Sequence, residues 1–336
     1  MENATCDLIE IFDNLKWNFS LLSFTVIEVV IALLAISGNT VVFIAFFRER
    51  KLRHKINFYI ISQAIADFGV GLIAIPLSIA VVIWGSQDPK ILPPLCNRLL
   101  CLVPISIPLA FSNISIYSLV LISVKRLGTL TSNSPRLKTK LSKNIAKEIA
   151  ICWVTGISIG FFPLIWNDKY DDTCIVHDVM NKNFVIFRFV FAVLVPSIIL
   201  GYVYYRIYMI ISEQSKKKLQ LKNSGIALRP CAQNKIAKDV RATITIATIV
   251  VSFWITWIPL QIMYFVIVIC KDCIPKPLMA FNICLIHLHS ALNPMIYAYR
   301  MRDIRKAVLK LFSGEVSDFV TSAYSESVTR SRHNAL

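Results

Sequence analysis

The side chains in this sequence that could do chemistry are polar and ionisable groups set inside long apolar runs. The segment 286–300 holds two histidines, His287 and His289, followed by Asn293, Pro294 and Tyr297. In a membrane helix, proline and polar side chains are tolerated where neighbouring helices or water satisfy the backbone groups that they free. The segment is therefore predicted to be a functional transmembrane helix and not a simple anchor.

Three firmly charged side chains lie in the apolar runs: Glu28, Asp67 and Arg188. A charge at membrane depth is costly and normally has a partner, a water-filled cavity or a ligand. These residues are therefore candidates for ion binding, ligand binding or helix pairing. The sequence shows no nucleophile–base constellation, metal motif or phosphate loop, so we do not predict an enzyme or a metal centre.

Seven apolar stretches carry these residues, each close to or above the roughly 20 residues that cross a bilayer as a helix. They span residues 21–47, 56–84, 99–124, 149–166, 184–205, 242–270 and 278–299. Hydrophobic residues make up 56% of the chain and charged residues 17%, which is typical of a protein that crosses the membrane several times. We predict an all-α membrane protein with a bundle of seven transmembrane helices.

The formal net charge of +16 is concentrated in the segments that follow the first, third, fifth and seventh stretches. Such a bias of Lys and Arg marks cytoplasmic loops. The amino terminus is therefore predicted to be extracellular and the protein to lie in the plasma membrane. A basic inner face also attracts anionic lipid and acidic cytoplasmic partners. Because the charge follows the membrane topology, nucleic acid is excluded as a partner.

Sequons and cysteines fit the same topology. Asn3 and Asn18 lie in Asn-x-Ser/Thr sequons of the predicted external terminus and are predicted glycosylation sites. Six cysteines lie at or outside the external boundary, where up to three disulfides could form: Cys6, Cys96, Cys101, Cys174, Cys270 and Cys273. The other three, Cys152, Cys231 and Cys284, are expected to be free thiols.

Several short motifs occur one per helix and in a fixed order. They are Asn39, Asp67, Trp153 and Trp257-Ile258-Pro259, all ahead of Asn293-Pro294-x-x-Tyr297. In this combination the sequence, from about residue 20 to 312, resembles the rhodopsin-family receptors. The resemblance implies a receptor that binds an extracellular small molecule and signals through heterotrimeric G proteins. It also implies an activation switch formed by Arg126, Tyr204, Asp239, Trp257, Pro259, Asn293, Pro294 and Tyr297.

The resemblance also implies a role for the buried acid of the second helix. In that family the acid matching Asp67 binds a sodium ion with a third-helix serine, here Ser115, and with seventh-helix polar groups, here Ser290 and Asn293. Oxygen ligands suit such a hard cation, and we expect no other cofactor. Simple hydrogen bonding of Asp67 is the alternative. His289 replaces an asparagine of close relatives, and a protonated imidazole there would weaken or displace the ion.

Features of the outer half narrow the resemblance further. The fourth-helix run 149–154, the second-helix exit 74–77 and the loop 270–273, together with Glu28 and His287, resemble adenosine receptors. The last two match a carboxylate–imidazole pair of those receptors, and facing each other they would offset two burial costs. Two disulfides follow from the same resemblance: Cys101–Cys174 and Cys270–Cys273.

Other positions depart from the adenosine-receptor pattern. Tyr264 replaces an asparagine that grips the adenine ring, and Gln261 replaces a histidine. In the second external loop, Val176 and His177 replace a phenylalanine and a glutamate. A site built on hydrogen bonds rejects ligands once its donors or acceptors change, so adenosine is only weakly favoured. The predicted ligand contacts are Glu28, Leu109, Ser112, Asn113, His177, Arg188, Trp257, Tyr264 and His287.

Arg188 replaces a polar residue of the fifth helix and has two interpretations. In the favoured one, its long side chain snorkels to the membrane interface. In the other, it forms with His177 and His287 a cationic pocket for a carboxylate or phosphate ligand. An amine ligand is disfavoured, because the outer third helix, residues 99–110, contains no acid.

At the inner end of the third helix, Lys125 and Arg126 stand where the family carries Asp-Arg. Arg126 is predicted to meet Asp239 of the sixth helix, while Tyr204 and Tyr297 approach it through water in an active state. Lys125 places a like charge beside Arg126 and removes one restraint on it. We therefore expect either raised basal activity or impaired coupling.

The chain is predicted to divide into four parts. These are the extracellular terminus 1–20, the receptor domain 21–300, an amphipathic helix 301–312 on the inner leaflet, and a disordered cytoplasmic tail 313–336. Phosphorylation of the Ser- and Thr-rich tail would recruit arrestin. Two rival classes are a transporter, whose paired half-repeats are not seen, and a non-signalling binding protein with the receptor fold.

Overall fold

The structure is a computed structural model that describes residues 19–53, 57–86, 98–131, 144–166, 182–224, 230–270 and 273–312. Almost every described residue is helical, and no strand occurs among them. The predictions made for Asn3, Cys6, Asn18, Cys96, Cys174, His177 and the tail 313–336 lie outside the described residues. The same is true of the side chains of Cys101, Cys231 and Asp239.

Eight helices follow one another along the described residues. They are α1 (Phe19–Arg48), α2 (Asn57–Gly69, a π-helical turn Val70–Ala74, and Ile75–Ser86), α3 (Arg98–Thr131), α4 (Ile145–Gly160 and Phe162–Trp166), α5 (Lys182–Arg188, a π-helical turn Phe189–Leu194, and Val195–Asn223), α6 (Pro230–Ile269), α7 (Lys276–Arg300) and α8 (Arg302–Phe312). The predicted all-α bundle with a short eighth helix is confirmed.

Within the described residues, six helices are long and apolar enough to cross a membrane: α1, α2, α3, α5, α6 and α7. The fourth predicted stretch differs, because the first part of α4 has only 16 residues and ends at Gly160. Gly160 and Pro163 flank this break, and both residue types weaken a helix. The two parts together cover residues 145–166, close to the roughly 20 residues of a crossing.

Two helices contain π-helical turns, and each turn precedes a proline. Pro76 follows the turn in α2 and Pro196 follows the turn in α5. Proline has no N–H to bond the carbonyl four residues earlier, here that of Leu72 or Ala192 in the turn itself. The wider turn absorbs this missing bond, as is common near functional sites. In α5, one freed carbonyl of the turn finds a partner, since the Tyr117 hydroxyl of α3 donates to the Phe191 carbonyl at 2.7 Å.

Small residues allow close approach between helices at several places, among them the contacts of Gly160 and Gly38. A Cβ on Gly160 of α4 would lie 2.4 Å from the backbone of Ala110 in α3, and one on Gly38 of α1 would lie 2.7 Å from the Pro294 ring in α7. In a bilayer, helices associate through such close packing because lipid supplies no hydrophobic drive between them. These contacts therefore fix α4 on α3 and α1 on α7.

The polarity of the bundle is the reverse of that of a water-soluble protein. Large apolar side chains such as Leu33, Val154 and Ile255 are more than half exposed. In contrast, Glu28 and Asp67 are fully buried. An apolar surface around a polar interior is the arrangement that a hydrocarbon solvent requires.

The eighth helix packs against the inner end of the bundle. Ile304 and Ala307 are buried in the same apolar cluster as Val42 and Phe46 of α1. The Arg305 N–H donates to the Met301 carbonyl at 2.8 Å, which joins α8 to the end of α7. One face of α8 is thus apolar and covered, while its cationic face is exposed.

A glycine-to-alanine comparison tests the α3–α4 contact. Gly160→Ala should lower the melting temperature of the purified protein, because backbone atoms of Ala110 cannot move aside and overpacking costs about 1–3 kcal/mol. Gly201→Ala is the matched control, since a Cβ there meets nothing within 4 Å. Alanine is also the better helix former, so this control should be neutral or slightly stabilising. Equal melting temperatures for the two variants would contradict the packing described.

Candidate functional site

Polar side chains fill the interior of the bundle at three levels, and the outermost contains a carboxylate–imidazole pair. His287 Nδ1 of α7 lies 2.9 Å from both carboxylate oxygens of Glu28 of α1. Their side chains are 1% and 0% exposed. The two residues face each other as expected from the sequence, and each compensates the burial of the other. Because Nδ1 is already engaged by a carboxylate, His287 is not an independent cation for a ligand.

Arg188 lies inside the bundle, at the end of the first segment of α5. Its side chain is only 2% exposed, and its guanidinium carbon lies 5.2 Å from the ring centre of Tyr264 and 5.9 Å from that of Trp257. The interpretation in which Arg188 snorkels to the interface is wrong. A snorkelling side chain leaves its charged end in water, whereas this one contacts two aromatic rings of α6.

The other predicted ligand contacts that the structure describes are buried as well. Leu109 and Tyr264 belong to one apolar cluster with Phe184 and Leu260, which joins α3, α5 and α6. Ser112 and Asn113 of α3 are also buried. The interactions of the described residues thus form two groups, one around Arg188 and one at the Glu28–His287 pair.

Several buried polar atoms in the outer halves of α3, α5 and α6 have no hydrogen-bond partner. They are Arg188 Nε and Nη1, both amide atoms of Asn113 and of Gln261, and the indole nitrogen of Trp257. Gln261 was seen in the sequence only as a departure from the family pattern and was not predicted to contact a ligand. Its position four residues after Trp257 and three before Tyr264, on one face of α6, is the signal that would have identified it.

The middle level is organised around Asp67 of α2. The Ser115 hydroxyl of α3 donates to Oδ1 at 3.0 Å, and the Asn293 amide of α7 donates to Oδ2 at 2.8 Å. Ser290 also hydrogen-bonds this carboxyl. All four residues predicted for the sodium site are therefore in one place. Gln63 was missed, although it lies one turn before Asp67 on the same face; its amide donates to Ser115 and, at 3.4 Å, to Oδ2 of Asp67.

The donor set at Asp67 suits a small hard cation. Besides the carboxylate and hydroxyl oxygens, Asn293 Oδ1 and Gln63 Oε1 are buried without partners. Carboxylate, amide and hydroxyl oxygens are the ligands of hard cations. His289 is also buried, with its Nδ1 unpartnered and its ring edge-on to Phe253 at 6.0 Å. In the described part of the chain no group of three His, Cys, Asp or Glu side chains forms a metal site.

Two motif residues extend this polar core to other helices. The Asn39 amide of α1 donates to the carbonyls of Ala35, at 2.8 Å, and Ser290, at 3.3 Å. The Trp153 indole of α4 donates to the Ser62 hydroxyl of α2 at 3.0 Å. Asn39 and Trp153 thus each join their own helix to another helix, α1 to α7 and α4 to α2. Their positions in the sequence do not reveal this role.

At the inner level, Lys125 forms an interhelical salt bridge. Its ammonium lies within salt-bridge distance of Glu148 at the start of α4, and the Tyr59 hydroxyl of α2 donates to the second oxygen of this carboxylate. The expectation that Lys125 faces Arg126 as an uncompensated like charge is corrected by this contact. Glu148 and Tyr59 were not predicted; an isolated acid on the basic inner face was the available signal.

The remaining switch residues lie in the inner core. Tyr297 and Trp257 are both buried in one apolar cluster, against which Tyr204 packs. The hydroxyl groups of Tyr204 and Tyr297 are buried without a hydrogen-bond partner. Arg126 is half-buried at the inner end of α3. Its predicted contact with Asp239 involves a side chain outside the described residues.

The cysteine predictions are confirmed where the structure describes them. Cys270 and Cys273 form a disulfide across the end of α6, with their Cα atoms 5.5 Å apart. Cys152 and Cys284 are buried free thiols.

Comparison with known proteins agrees with the motifs. The model of the 7 transmembrane receptor (rhodopsin family) matches residues 38–297. The adenosine receptor A2a of Homo sapiens is 31% identical over 310 residues, which cover 86% of this chain and 72% of the relative. The A2a receptor of Canis lupus familiaris matches with the same identity and coverage. The adenosine receptor A2b of Mus musculus is 30% identical over 317 residues, covering 86% of this chain and 90% of the relative.

A double-mutant cycle tests the Lys125–Glu148 bridge. Lys125→Met and Glu148→Gln should each destabilise the purified protein, because each leaves one charge without its partner. The double variant should recover part of that loss, with a coupling free energy of about 0.5–3 kcal/mol. Thermal unfolding of the four proteins measures it. Lys217→Met with Glu213→Gln, an exposed pair one turn apart on α5, is the control and should show little coupling. Additive effects of Lys125→Met and Glu148→Gln at this half-buried pair would contradict the bridge.

Proposed function

This chain belongs to the rhodopsin family of seven-transmembrane receptors, and from this premise we propose how it receives and transmits a signal. It is a G-protein-coupled receptor related to adenosine receptors, lies in the plasma membrane and is not an enzyme. We place its amino terminus outside, because the excess Lys and Arg lie in the segments that would then face the cytoplasm. Its ligand binds between α3, α5, α6 and α7 in the outer half of the bundle.

The observation that carries the ligand proposal is the contrast between two groups of buried residues. The Glu28–His287 pair of the adenosine-receptor pattern is retained and closed at 2.9 Å. In the other group, Gln261 and Tyr264 replace the histidine and asparagine of that pattern, and Arg188 has entered the site. The receptor is therefore adenosine-receptor-like in architecture but has an altered purine pocket.

Transmission uses the polar and aromatic residues between that pocket and the inner face. Trp257 contacts Arg188 on its outer side and the Phe253 ring on its inner side, with ring centres 5.7 Å apart. Phe253 in turn contacts His289 beside the Asp67 network. A ligand that binds one arrangement of these groups more tightly shifts the population of inner-face conformations. Pro259, Pro294 and Arg126 complete the proposed switch.

Sodium is the proposed allosteric ion at Asp67, held with Ser115, Ser290 and Asn293. Unpartnered buried amide oxygens beside the carboxylate support this proposal. The inner surface is proposed to bind G protein, and the phosphorylated tail to bind arrestin. The exposed cations of α8, together with its buried Ile304 and Ala307, favour contact with anionic lipid of the inner leaflet.

The receptor function is tested by nucleotide exchange on purified G-protein heterotrimers added to membranes that contain this chain. Exchange should exceed that of Arg126→Ala membranes, because Arg126 lies at the inner face where G protein would bind. Adenosine should be at least about 100-fold less potent than on the human A2a receptor assayed in parallel, since hydrogen-bonding partners of the purine are changed. Two results together would favour a non-signalling binding protein: basal nucleotide exchange equal to that of Arg126→Ala membranes, and no change in exchange with any ligand tested.

The ion proposal is tested by comparing sodium with potassium at equal ionic strength. Replacing KCl by NaCl should raise the melting temperature of the purified receptor, because an ion bound to the folded state stabilises it. Asp67→Asn should abolish this difference, whereas Glu148→Gln, a control carboxylate outside the site, should retain it. A sodium effect that persists in Asp67→Asn would exclude Asp67 as a ligand of the ion.

A further inference from the structure

Arg188 is buried, and no salt bridge joins it to an acid among the described residues. The acid nearest the outer end among these residues, Glu28, is engaged by His287, and Asp67 is engaged by four donors of its own. The Nε and Nη1 atoms of Arg188 have no hydrogen-bond partner. A buried charge without an acidic partner is costly because of its desolvation. Within the described residues, Arg188 is compensated by two aromatic rings and by a hydrogen bond with Tyr264. A bound anion would compensate the remaining charge.

The unpartnered amide of Asn113 in α3 lies at the depth of Arg188 in α5. Asn113 lies one turn before Tyr117 in α3, and Arg188 lies nearly one turn before Phe191 in α5. The hydrogen bond from Tyr117 to the Phe191 carbonyl fixes these two helices side by side. Because one crossing separates them, α3 and α5 run in the same direction, and Asn113 and Arg188 lie at the same depth.

The third helix that contributes to the region around Arg188 is α6. Trp257 and Tyr264 contact the guanidinium of Arg188, and Gln261 lies between them on the same helix face. Both amide atoms of Asn113 and Gln261 and the Trp257 indole nitrogen are buried without partners, and all three side chains are at most 2% exposed. A buried donor without a partner costs about 1–3 kcal/mol. A ligand that accepts several of these hydrogen bonds recovers that free energy on binding.

We propose that Arg188, with Asn113, Gln261 and the indole of Trp257, binds the carboxylate of a small monoanionic organic ligand. A carboxylate accepts charge-assisted hydrogen bonds from a guanidinium, and its remaining lone pairs suit the amide and indole N–H groups. The rings of Trp257 and Tyr264 hold the guanidinium and provide apolar surface for the rest of the ligand. One guanidinium balances one negative charge, which favours a carboxylate over a doubly charged phosphate.

This inference names the ligand class for the proposed receptor and rests on that function, but its test does not use signalling. The full-length receptor, purified into lipid nanodiscs, is heated with a panel of straight-chain, hydroxy and aromatic monocarboxylates. Each acid is compared with its primary amide and with the phosphate monoester of the matching alcohol. At least one carboxylate should raise the melting temperature with a saturable dose dependence, while its amide and the phosphate should not.

Variants then assign the binding to the four residues. Arg188→Met should raise the Kd of the active carboxylate by about 30-fold or more, since the buried carboxylate of the ligand loses its cationic partner. Gln261→Leu should raise the Kd by about 10-fold, corresponding to one lost hydrogen bond to a charged group. Lys182→Gln is the control: it removes the same charge from an exposed residue at the start of α5 and should leave the Kd unchanged.

The unliganded Arg188→Met receptor provides a second readout. Removing a buried charge that has no acidic partner should change the melting temperature little, because the lost contacts with Trp257 and Tyr264 are offset by the smaller desolvation cost. A fall as large as that of Lys125→Met, which leaves an acid without its cation, would mean that an acid within the chain already neutralises Arg188, and would overturn the proposal. So would a panel without any active carboxylate, equal binding of acid and amide, preference for the phosphate, or equal weakening by Arg188→Met and Lys182→Gln. None of these outcomes bears on the receptor function, which is tested separately by nucleotide exchange on G protein and its dependence on Arg126.

Discussion

A carboxylate buried in the middle of a membrane bundle must be satisfied by neighbouring helices, and Asp67 meets this requirement with donors from α3 and α7. Ser115 and Asn293 bind its two oxygens, and Gln63 closes the network from its own helix. Asn39 then joins α1 to the same region through the Ser290 carbonyl. Four helices thus meet at one polar centre. Since hydrocarbon offers no alternative partner, this centre fixes how those helices are rotated about their axes.

The outer half of the bundle depends on the orientation that this centre imposes, and it contains two opposite solutions to buried charge. Glu28 and His287 compensate each other and need no ligand. Arg188 is compensated by the faces of two aromatic rings and by a hydrogen bond with Tyr264. The first arrangement joins α1 to α7, whereas the second joins α5 to α6 and leaves two nitrogen atoms of the guanidinium without partners. The proposed ligand site therefore differs from the adenosine-receptor pattern in charge as well as in shape.

In the inner half of the bundle, a cation stands where the family carries an acid, and a neighbouring helix provides its partner. Lys125 replaces the acid that the family carries beside Arg126, which by itself would place two cations together. Glu148 of α4 instead binds the ammonium, and the Tyr59 hydroxyl of α2 donates to the same carboxylate. The cation at this position thus takes part in a contact between α2, α3 and α4.

The sequence by itself determined the membrane class, the order of the helices and the family, because hydrophobic length and motif order depend only on position along the chain. Through family resemblance it also indicated the Glu28–His287 pair and the partners of Asp67 other than Gln63. Only the tertiary structure decided the direction of Arg188, the partner of Lys125 and the part played by Gln261. Spacing along a helix does not specify which neighbouring helix a side chain faces. That choice is set by helix rotation, by close contacts such as Gly160 with Ala110, and by the π-helical turn that follows Arg188.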